Sequence, residues 1–435
     1  MRHLSITNLS GEGVSSEPAP FKSLKICLLG YRSKPHCGGQ GIYIKYLSSA
    51  LVKLGHTVDV ISGEPYPELE DGVRLIKMPG LNIFDKKSRI LALGLKDLGS
   101  YTNFFEWLSV LTGGFPEPYT FGRRIVKYFK KHGQDYDLIH DNQSLCYGLL
   151  KLQKRGLAVI ATIHHPITKD KEIALASASG IWHRILIRRW HTFLNMQKHV
   201  VQRLNHLLTV SSQSRNDIAK AFKIDGAQIR LVYNGIDTDT FMPMPEIKRK
   251  PFRLMATASA DMPLKGLDYL LEALASLIDQ YPAIDLLVIG TPKPGGHTEK
   301  LIKRLGIESK VRFVNNLTTD DIRRHYAEST IAVIPSLYEG FGLPAGEAMS
   351  CGIPVISSNG GALPEIVGDA GIVVQAGNKK ALADAISDLL QHPQKREKLG
   401  LNGRKRILEK FSWDVAARKM TQYYMEVIKN VNNRF

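Results

Sequence analysis

Short apolar runs alternate with amphipathic stretches from residue 24 to the end of the chain, and the alternation occurs twice. Leu24–Gly30 (LKICLLG) is almost wholly apolar and stops at glycine, as a strand buried on both faces of a parallel sheet does. Gln40–Leu54 then carries apolar residues at helical spacing and gives way to Gly55, suited to a helix C-terminal cap. Val58–Ile61, Leu138–His140, Val159–Ile163 and Leu207–Val210 predict further strands; Phe121–Lys131, Leu145–Arg155 and Ser212–Phe222 predict helices between them. Such alternation implies a parallel sheet with helices on both faces.

A charged, proline-punctuated stretch, Met242–Pro251 (MPMPEIKRKP), has the composition of a linker. The pattern then restarts. Arg253–Ala258, Leu286–Ile289, Val311–Val314, Ile331–Ile334 and Val355–Ser357 predict strands. Leu267–Gln280, Thr319–Glu328, Lys380–Gln391 and Gln394–Lys410 predict helices, and the amphipathic Trp413–Val431 closes the chain. The expected α/β architecture is two tandem Rossmann-like domains facing a central cleft where both sheets present their strand ends. The expected division is a flexible tail over 1–21, a first domain over 22–240, a second over 241–412 and a terminal helix over 413–435.

Composition narrows the class. The 435 residues are 43% hydrophobic and 23% charged, which excludes a disordered or collagen-like chain. No apolar run approaches the roughly 18 residues that span a bilayer. The first twenty residues lack the apolar core of a signal peptide. Cys27, Cys37, Cys146 and Cys351 lie far apart, which fits reduced thiols in a cytoplasmic protein better than a disulfide framework or a zinc site. The formal charge is +17, with 32 Lys+Arg against 20 Asp+Glu in residues 1–240 and 26 against 21 thereafter. Such a field favours nucleic acid, an anionic membrane or phosphorylated small molecules.

Two phosphate-binding signatures are missing. Gly38, Gly39 and Gly41 follow the first strand at the wrong spacing for a dinucleotide fingerprint, and no Walker A sequence occurs. Asp237 and Asp239 form an Asp-x-Asp, but directly after Asn234-Gly235 they fit turn and helix-cap chemistry better than a metal site.

The informative stretch is Ser336–Pro364, SLYEGFGLPAGEAMSCGIPVISSNGGALP. Gly340 and Gly342 fall between an apolar strand and a helix opening near Pro344, where exposed backbone N–H groups and the positive helix end suit an anion. Glu339 on the loop and Glu347 on the helix suit a hydroxyl-rich ligand, since carboxylates accept strong hydrogen bonds from sugar hydroxyls. A capped α/β turn with a solvated Glu fits the spacing alone equally well.

The run from Glu339 to Glu347, with Gly352-Ile-Pro-Val and Gly360-Gly-Ala-Leu-Pro-Glu365 after it, resembles the signature of family 4 glycosyltransferases, retaining enzymes of the two-domain GT-B fold. Gly38-Gly39-Gln-Gly41, Leu54–Val58, Val210-Ser211 with Arg215, Val232–Asp237, Lys265–Asp268 and Phe411-Ser412-Trp413 resemble other parts of that family, so the likeness covers the chain beyond its first twenty residues. The resemblance implies roles residue by residue. Glu339 would bind hydroxyls of the donor sugar, and the backbone of Gly340, Phe341 and Gly342 would face the sugar and pyrophosphate. Glu347 would hold the ribose, and Lys265 would neutralise the diphosphate. His164 would contact the donor sugar from the first domain, with His165 its substitute. Gly38, Gly39 and Gly41 would line the acceptor or diphosphate side. The donor would be a nucleotide sugar, and the acceptor a hydroxyl on a lipid or glycan. The donor phosphate itself would take the acceptor proton, and neither a metal nor another cofactor is implied.

One feature departs from that family. Its lysine is usually paired with an arginine about five positions earlier, whereas Thr257-Ala-Ser-Ala-Asp261-Met-Pro-Leu-Lys265 has none. Two alternatives stay open at this point: an epimerase or hydrolase of GT-B shape acting on nucleotide sugars, and a non-catalytic glycan- or nucleotide-binding protein. Ile173–Arg203 mixes aromatic, aliphatic and cationic residues as a helix lying on an anionic membrane does, which gives an expected peripheral location at the inner face of a membrane. Nucleic acid is not an expected partner.

Overall fold

The computed structural model describes residues 21–34, 39–83, 99–133, 135–176, 178, 180–258 and 261–433. Nearly all of the expected tail, together with Gly38, lies outside the described residues. Seven parallel strands form the first sheet: β1 (Lys25–Gly30), β2 (Thr57–Ser62), β3 (Val73–Lys77), β4 (Leu138–Asn142), β5 (Val159–Ile163), β6 (Leu207–Thr209) and β7 (Ile229–Leu231), in the order β3-β2-β1-β4-β5-β6-β7. Six more form the second: β8 (Arg253–Thr257), β9 (Asp285–Ile289), β10 (Val311–Val314), β11 (Ile331–Ile334), β12 (Val355–Ser358) and β13 (Ile372–Val374), in the order β10-β9-β8-β11-β12-β13.

In both sheets the chain order reverses beside the first strand, between β1 and β4 and between β8 and β11. Crevices at such switch points, beyond the C-terminal strand ends, are where ligands bind in open α/β sheets. The central strands β1, β4 and β5 are buried almost throughout. Three strands escape the hydrophobic pattern, β3, β7 and β13, and each is a sheet edge with partly exposed positions. Two helices begin elsewhere than expected. The helix Glu117–His132 starts four residues before Phe121, and Tyr147–Gln153 starts after Leu145, whose positive φ of 48° keeps it out of the helix.

The terminal helix Trp413–Asn432 returns to the first domain. Trp413, Ala417, Met420, Tyr424 and Val427 share a buried cluster with Leu24, Ile26, Ile44, Leu47 and Leu51. Each large apolar side chain so buried contributes on the order of 1.5–3 kcal/mol. Polar groups inside this seam are paired: His56 Nε2 lies 3.0 Å from Thr421 Oγ1, and His140 Nδ1 lies 2.5 Å from the Tyr424 hydroxyl. None of the helices among the described residues is long and apolar enough to cross a membrane.

Candidate active site in the interdomain cleft

Lys265 and Glu339 lie 74 positions apart in the chain and meet because two backbone turns fit together. After β8 the chain makes a single turn, Pro263–Lys265, closed by Gly266 at a φ of 64°. A Cβ at position 266 would sit 2.1 Å from the Pro335 carbonyl oxygen, so only glycine lets this turn rest on the exit of β11. The Leu337 N–H donates to the Leu264 carbonyl at 2.8 Å and fixes that contact. Lys265 Nζ then donates to Glu339 Oε1 at 2.7 Å, and Ser336 Oγ donates to the same oxygen at 2.9 Å.

The back of the Glu339 loop is held by Gly360 and Gly361, which follow β12. Gly361 has a φ of 65°, and a Cβ there would lie 2.1 Å from the Glu339 carbonyl oxygen. The Ala362 N–H donates to that oxygen at 2.9 Å. Gly342, at a φ of 101°, caps the helix Leu343–Ser350, whose positive end therefore adjoins the loop carrying Glu339. Phe341 turns its ring into the core against Phe411, so what it can offer a ligand is its backbone. Glu347 faces Tyr326, whose hydroxyl lies 3.4 Å from Oε2, and burial pushes its carboxyl up to about 7.

The first domain contributes His164 at the end of β5. Its N–H donates to Gln143 Oε1 at 2.7 Å, and its Nε2 lies 2.7 Å from Asn142 Oδ1. Asn142 Nδ2 donates to the Gln40 carbonyl at 2.9 Å, which turns Oδ1 toward the imidazole. Nε2 therefore carries the proton, and Nδ1 is the acceptor. Burial, reinforced by the neighbouring His165 and His140, pushes this imidazole down to about 3, so it is neutral at pH 7. Tyr43 packs edge-on against it with ring centroids 4.7 Å apart. His165 points elsewhere, with Nε2 3.3 Å from Asp170 Oδ2. Gly39 has open space around its Cα, whereas a Cβ on Gly41 would strike the Lys34 carbonyl oxygen at 2.0 Å. Gly39 and Gly41 lie in the first turn of the helix Gly39–Lys53, which reaches the site through the Gln40 carbonyl.

The two halves touch at the centre of this arrangement. A Cβ on Gly340 would stand 3.4 Å from the His164 carbonyl oxygen. His164, Lys265, Glu339 and the Gly340–Gly342 turn thus share one cleft, with Glu347 one helix turn further on. Sequence reasoning passed over Asn142 and Gln143, which fix the tautomer and position of His164. The signal in the chain is the polar run Asp141-Asn-Gln-Ser144, which closes β4, and the structure buries all four residues.

The residues around the absent arginine have other duties. Asp261 accepts from the Thr298 N–H and the Lys293 N–H, each at 2.9 Å, and these bonds hold its carboxyl below the usual range. It secures the start of the helix His297–Leu305. Asp237 accepts from the Thr240 N–H at 3.1 Å and Asp239 lies 3.6 Å from Lys53, a turn arrangement. Among the described residues no three His, Cys, Asp or Glu side chains cluster as metal ligands.

Comparison with known proteins matches two family models, "Glycosyltransferase Family 4" over residues 37–240 and "Glycosyl transferases group 1" over 243–406. The chain is 42% identical over 412 residues to the MMP α-(1→4)-mannosyltransferase of Mycolicibacterium hassiacum, covering 94% of this chain and 99% of that protein. It is 27% identical over 411 residues to a D-inositol 3-phosphate glycosyltransferase of Corynebacterium jeikeium, covering 90% of this chain and 92% of the relative. Among solved structures, sucrose-phosphate synthase from Thermosynechococcus elongatus superposes with a TM-score of 0.68 at 24% identity, over 93% of this chain and all of that one. Anabaena HepE in complex with UDP gives 0.66 at 17% identity, over 93% of this chain. These last two likenesses establish the GT-B fold, and the sequence matches establish the rest: the chain belongs to family 4 of the glycosyltransferases and is an enzyme that transfers a glycosyl group.

Proposed function

We propose that the enzyme is a retaining hexosyltransferase that moves mannose from a nucleoside-diphosphate donor to a hydroxyl of a glycan or lipid-linked glycan. The observation that carries this is the Lys265–Glu339 pair at 2.7 Å beside Gly340 and His164, a cation and a sugar-binding carboxylate at one point of the cleft. Mannose is the choice because a relative 42% identical along nearly its whole length is named as an α-(1→4)-mannosyltransferase.

In this reading Glu339 exchanges part of its bond to Lys265 for hydroxyls of the donor sugar, and Lys265 turns to the diphosphate. The N–H groups at the start of Leu343–Ser350 meet the same negative charge. Glu347 accepts from the ribose, and neutral His164 accepts a sugar hydroxyl on Nδ1. The bond from the anomeric carbon to the diphosphate oxygen breaks, and the acceptor oxygen bonds to that carbon on the same face. The acceptor proton passes to the departing phosphate oxygen. Nucleoside diphosphate and glycoside are the products, and in this reading the charge is met by Lys265 and backbone N–H groups rather than by a bond from an enzyme carboxylate to the sugar. Lys265 is the one side-chain cation this reading sets against the diphosphate.

Titration calorimetry with UDP-, GDP-, ADP- and dTDP-hexoses, repeated on Glu339→Ala, tests the donor reading. One GDP- or other nucleoside-diphosphate hexose binds and loses at least tenfold in affinity in the variant; binding of none contradicts it. An anionic membrane surface is the partner proposed for Ile173–Arg203. In support, the helix Ile181–Trp190 buries none of its residues, and Ile181, Trp182, Ile185 and Leu186 are exposed along one side of it. Sedimentation with anionic vesicles should be salt-sensitive, and a failure to sediment contradicts that partner.

A further inference from the structure

Both chain neighbours of Glu339 are bound by the other domain. Tyr338 donates its hydroxyl to Asp217 Oδ2 at 2.8 Å, and Lys169, 2.7 Å from the same oxygen, lies over the Tyr338 ring at 4.1 Å. On the other side, Ser211 Oγ donates to the Gly340 carbonyl at 2.8 Å. Ser214 Oγ is shared between that carbonyl at 3.1 Å and the His164 carbonyl at 2.9 Å. Ser211, Ser214 and Asp217 all belong to one element of the first domain, the helix Ser212–Phe222 and its cap.

A third contact comes from the segment that backs Glu339. Glu365 extends from Leu363–Val367 across the cleft to the start of the same helix, where its two carboxylate oxygens accept the Ser212 and Gln213 N–H groups, each at 2.8 Å. The Tyr233 hydroxyl adds a bond at 3.2 Å. The first N–H groups of a helix have no partner within it, and a carboxylate there gains from both the hydrogen bonds and the helix dipole. Arg406 steadies the opposite side by donating to the Glu365 carbonyl at 2.9 Å.

We propose that Glu365 is a positioning residue: by clasping the start of the Ser212–Phe222 helix it seats the Tyr338–Gly340 loop, and so sets where Glu339 stands relative to His164. The proposal rests on the reading of Glu339 as the donor-sugar carboxylate. It assigns Glu365 no contact with substrate. With the clasp loosened, Glu339 and Lys265 stay on the second domain, so donor binding survives. Alignment with His164, and the exclusion of water from the cleft, do not.

The test uses the full chain with GDP-mannose, UDP-glucose, ADP-glucose and dTDP-glucose in turn, followed through with the donor that is turned over. Glu365→Gln keeps the size of the side chain but sets an amide NH2 against backbone N–H groups. It should lower kcat about tenfold, leave donor Kd within threefold, and raise the share of donor hydrolysed rather than transferred. Glu365→Asp should recover part of kcat, and Tyr338→Phe should shift the hydrolysis share the same way. An unchanged kcat and hydrolysis share in Glu365→Gln overturns the proposal. So does a loss of kcat that only follows a loss of folded protein in a melting curve. Glu339→Gln in the same series separates the two ideas: if it lowers kcat about a hundredfold or more while Glu365→Gln behaves as wild type, the donor reading stands and the clasp falls. If Glu339→Gln turns over normally, the donor reading itself is wrong.

Discussion

Lys265 Nζ lies 2.7 Å from Glu339 Oε1, so the cation proposed for the diphosphate and the carboxylate proposed for the sugar share one hydrogen bond. The pair is half-buried, which keeps it from being screened like a surface ion pair. Removing either partner alone leaves the other without its charge complement as well as without its ligand contact. Lys265→Met and Glu339→Gln should each lower kcat by about 10²- to 10³-fold, the usual scale for losing one preorganised electrostatic group. Because the two act together, the double variant should lose much less than the product of the single losses. Steady-state kinetics on the three variants measures this, and strict multiplicativity argues against a shared role.

Glu347 gives the site a pH dependence. Burial pushes its carboxyl up to about 7, so it gains full charge only above neutrality. A ribose hydroxyl donates best to the charged form, and donor affinity should therefore rise between pH 6 and 8. In Glu347→Gln that rise should vanish. The stability effect has the opposite sign, because a raised carboxyl is favoured folded at low pH and loses that advantage as pH climbs through about 7. The side chain is partly exposed, so about 1 kcal/mol is at stake. Glu347→Gln should melt higher than the wild type at pH 8 and show little difference at pH 5.

His164 is held neutral, and its imidazole is pushed down to about 3. The pH profile of kcat between 5 and 8 should therefore show no limb belonging to it. His164→Ala should lower kcat roughly ten- to a hundredfold, through loss of one positioned acceptor, without changing the shape of the profile. A limb near pH 6 that disappears in His164→Ala would assign the residue a proton-transfer role instead.

A buried histidine in the terminal-helix seam predicts acid sensitivity. His140 bridges the Tyr424 hydroxyl and Thr162 Oγ1, at 2.5 and 2.6 Å, and burial pushes it down to about 3. The unfolded chain takes up its proton near pH 6.5 and the folded one does not. Stability is thus present above about pH 6.5 and falls as pH drops toward 3, by about 1.4 kcal/mol per pH unit for this one group. Urea unfolding at pH 7, 6 and 5 should show a shallower slope in His140→Gln. That variant should also lose about 1–3 kcal/mol at pH 7, from the partners left unpaired.

How much of this could be read from the sequence depended on where each residue lies. Central strands such as Val159–Ile163 announce themselves because both faces are buried, whereas β3, β7 and β13 are half-solvated edges with mixed patterns. Glu339 and Glu347 stand out in the chain because they share one contiguous motif, and Lys265 because it sits in a second short motif, Lys265–Asp268. The clasp is not legible in that way, because nothing in the chain says that the Ser212 N–H and the Glu365 carboxylate come within 2.8 Å of each other. Phe341 shows the converse limit: it lies within the motif, yet its ring belongs to the core.

The most direct test of the account is the anomeric configuration of the product. With an α-linked nucleoside-diphosphate mannose and an oligomannoside acceptor, proton NMR of the isolated glycoside should show a new α-mannosidic linkage and one nucleoside diphosphate per linkage formed. Glu339→Ala should make none. A β-linked product, or free mannose as the sole product at saturating acceptor, would contradict retaining transfer by this cleft.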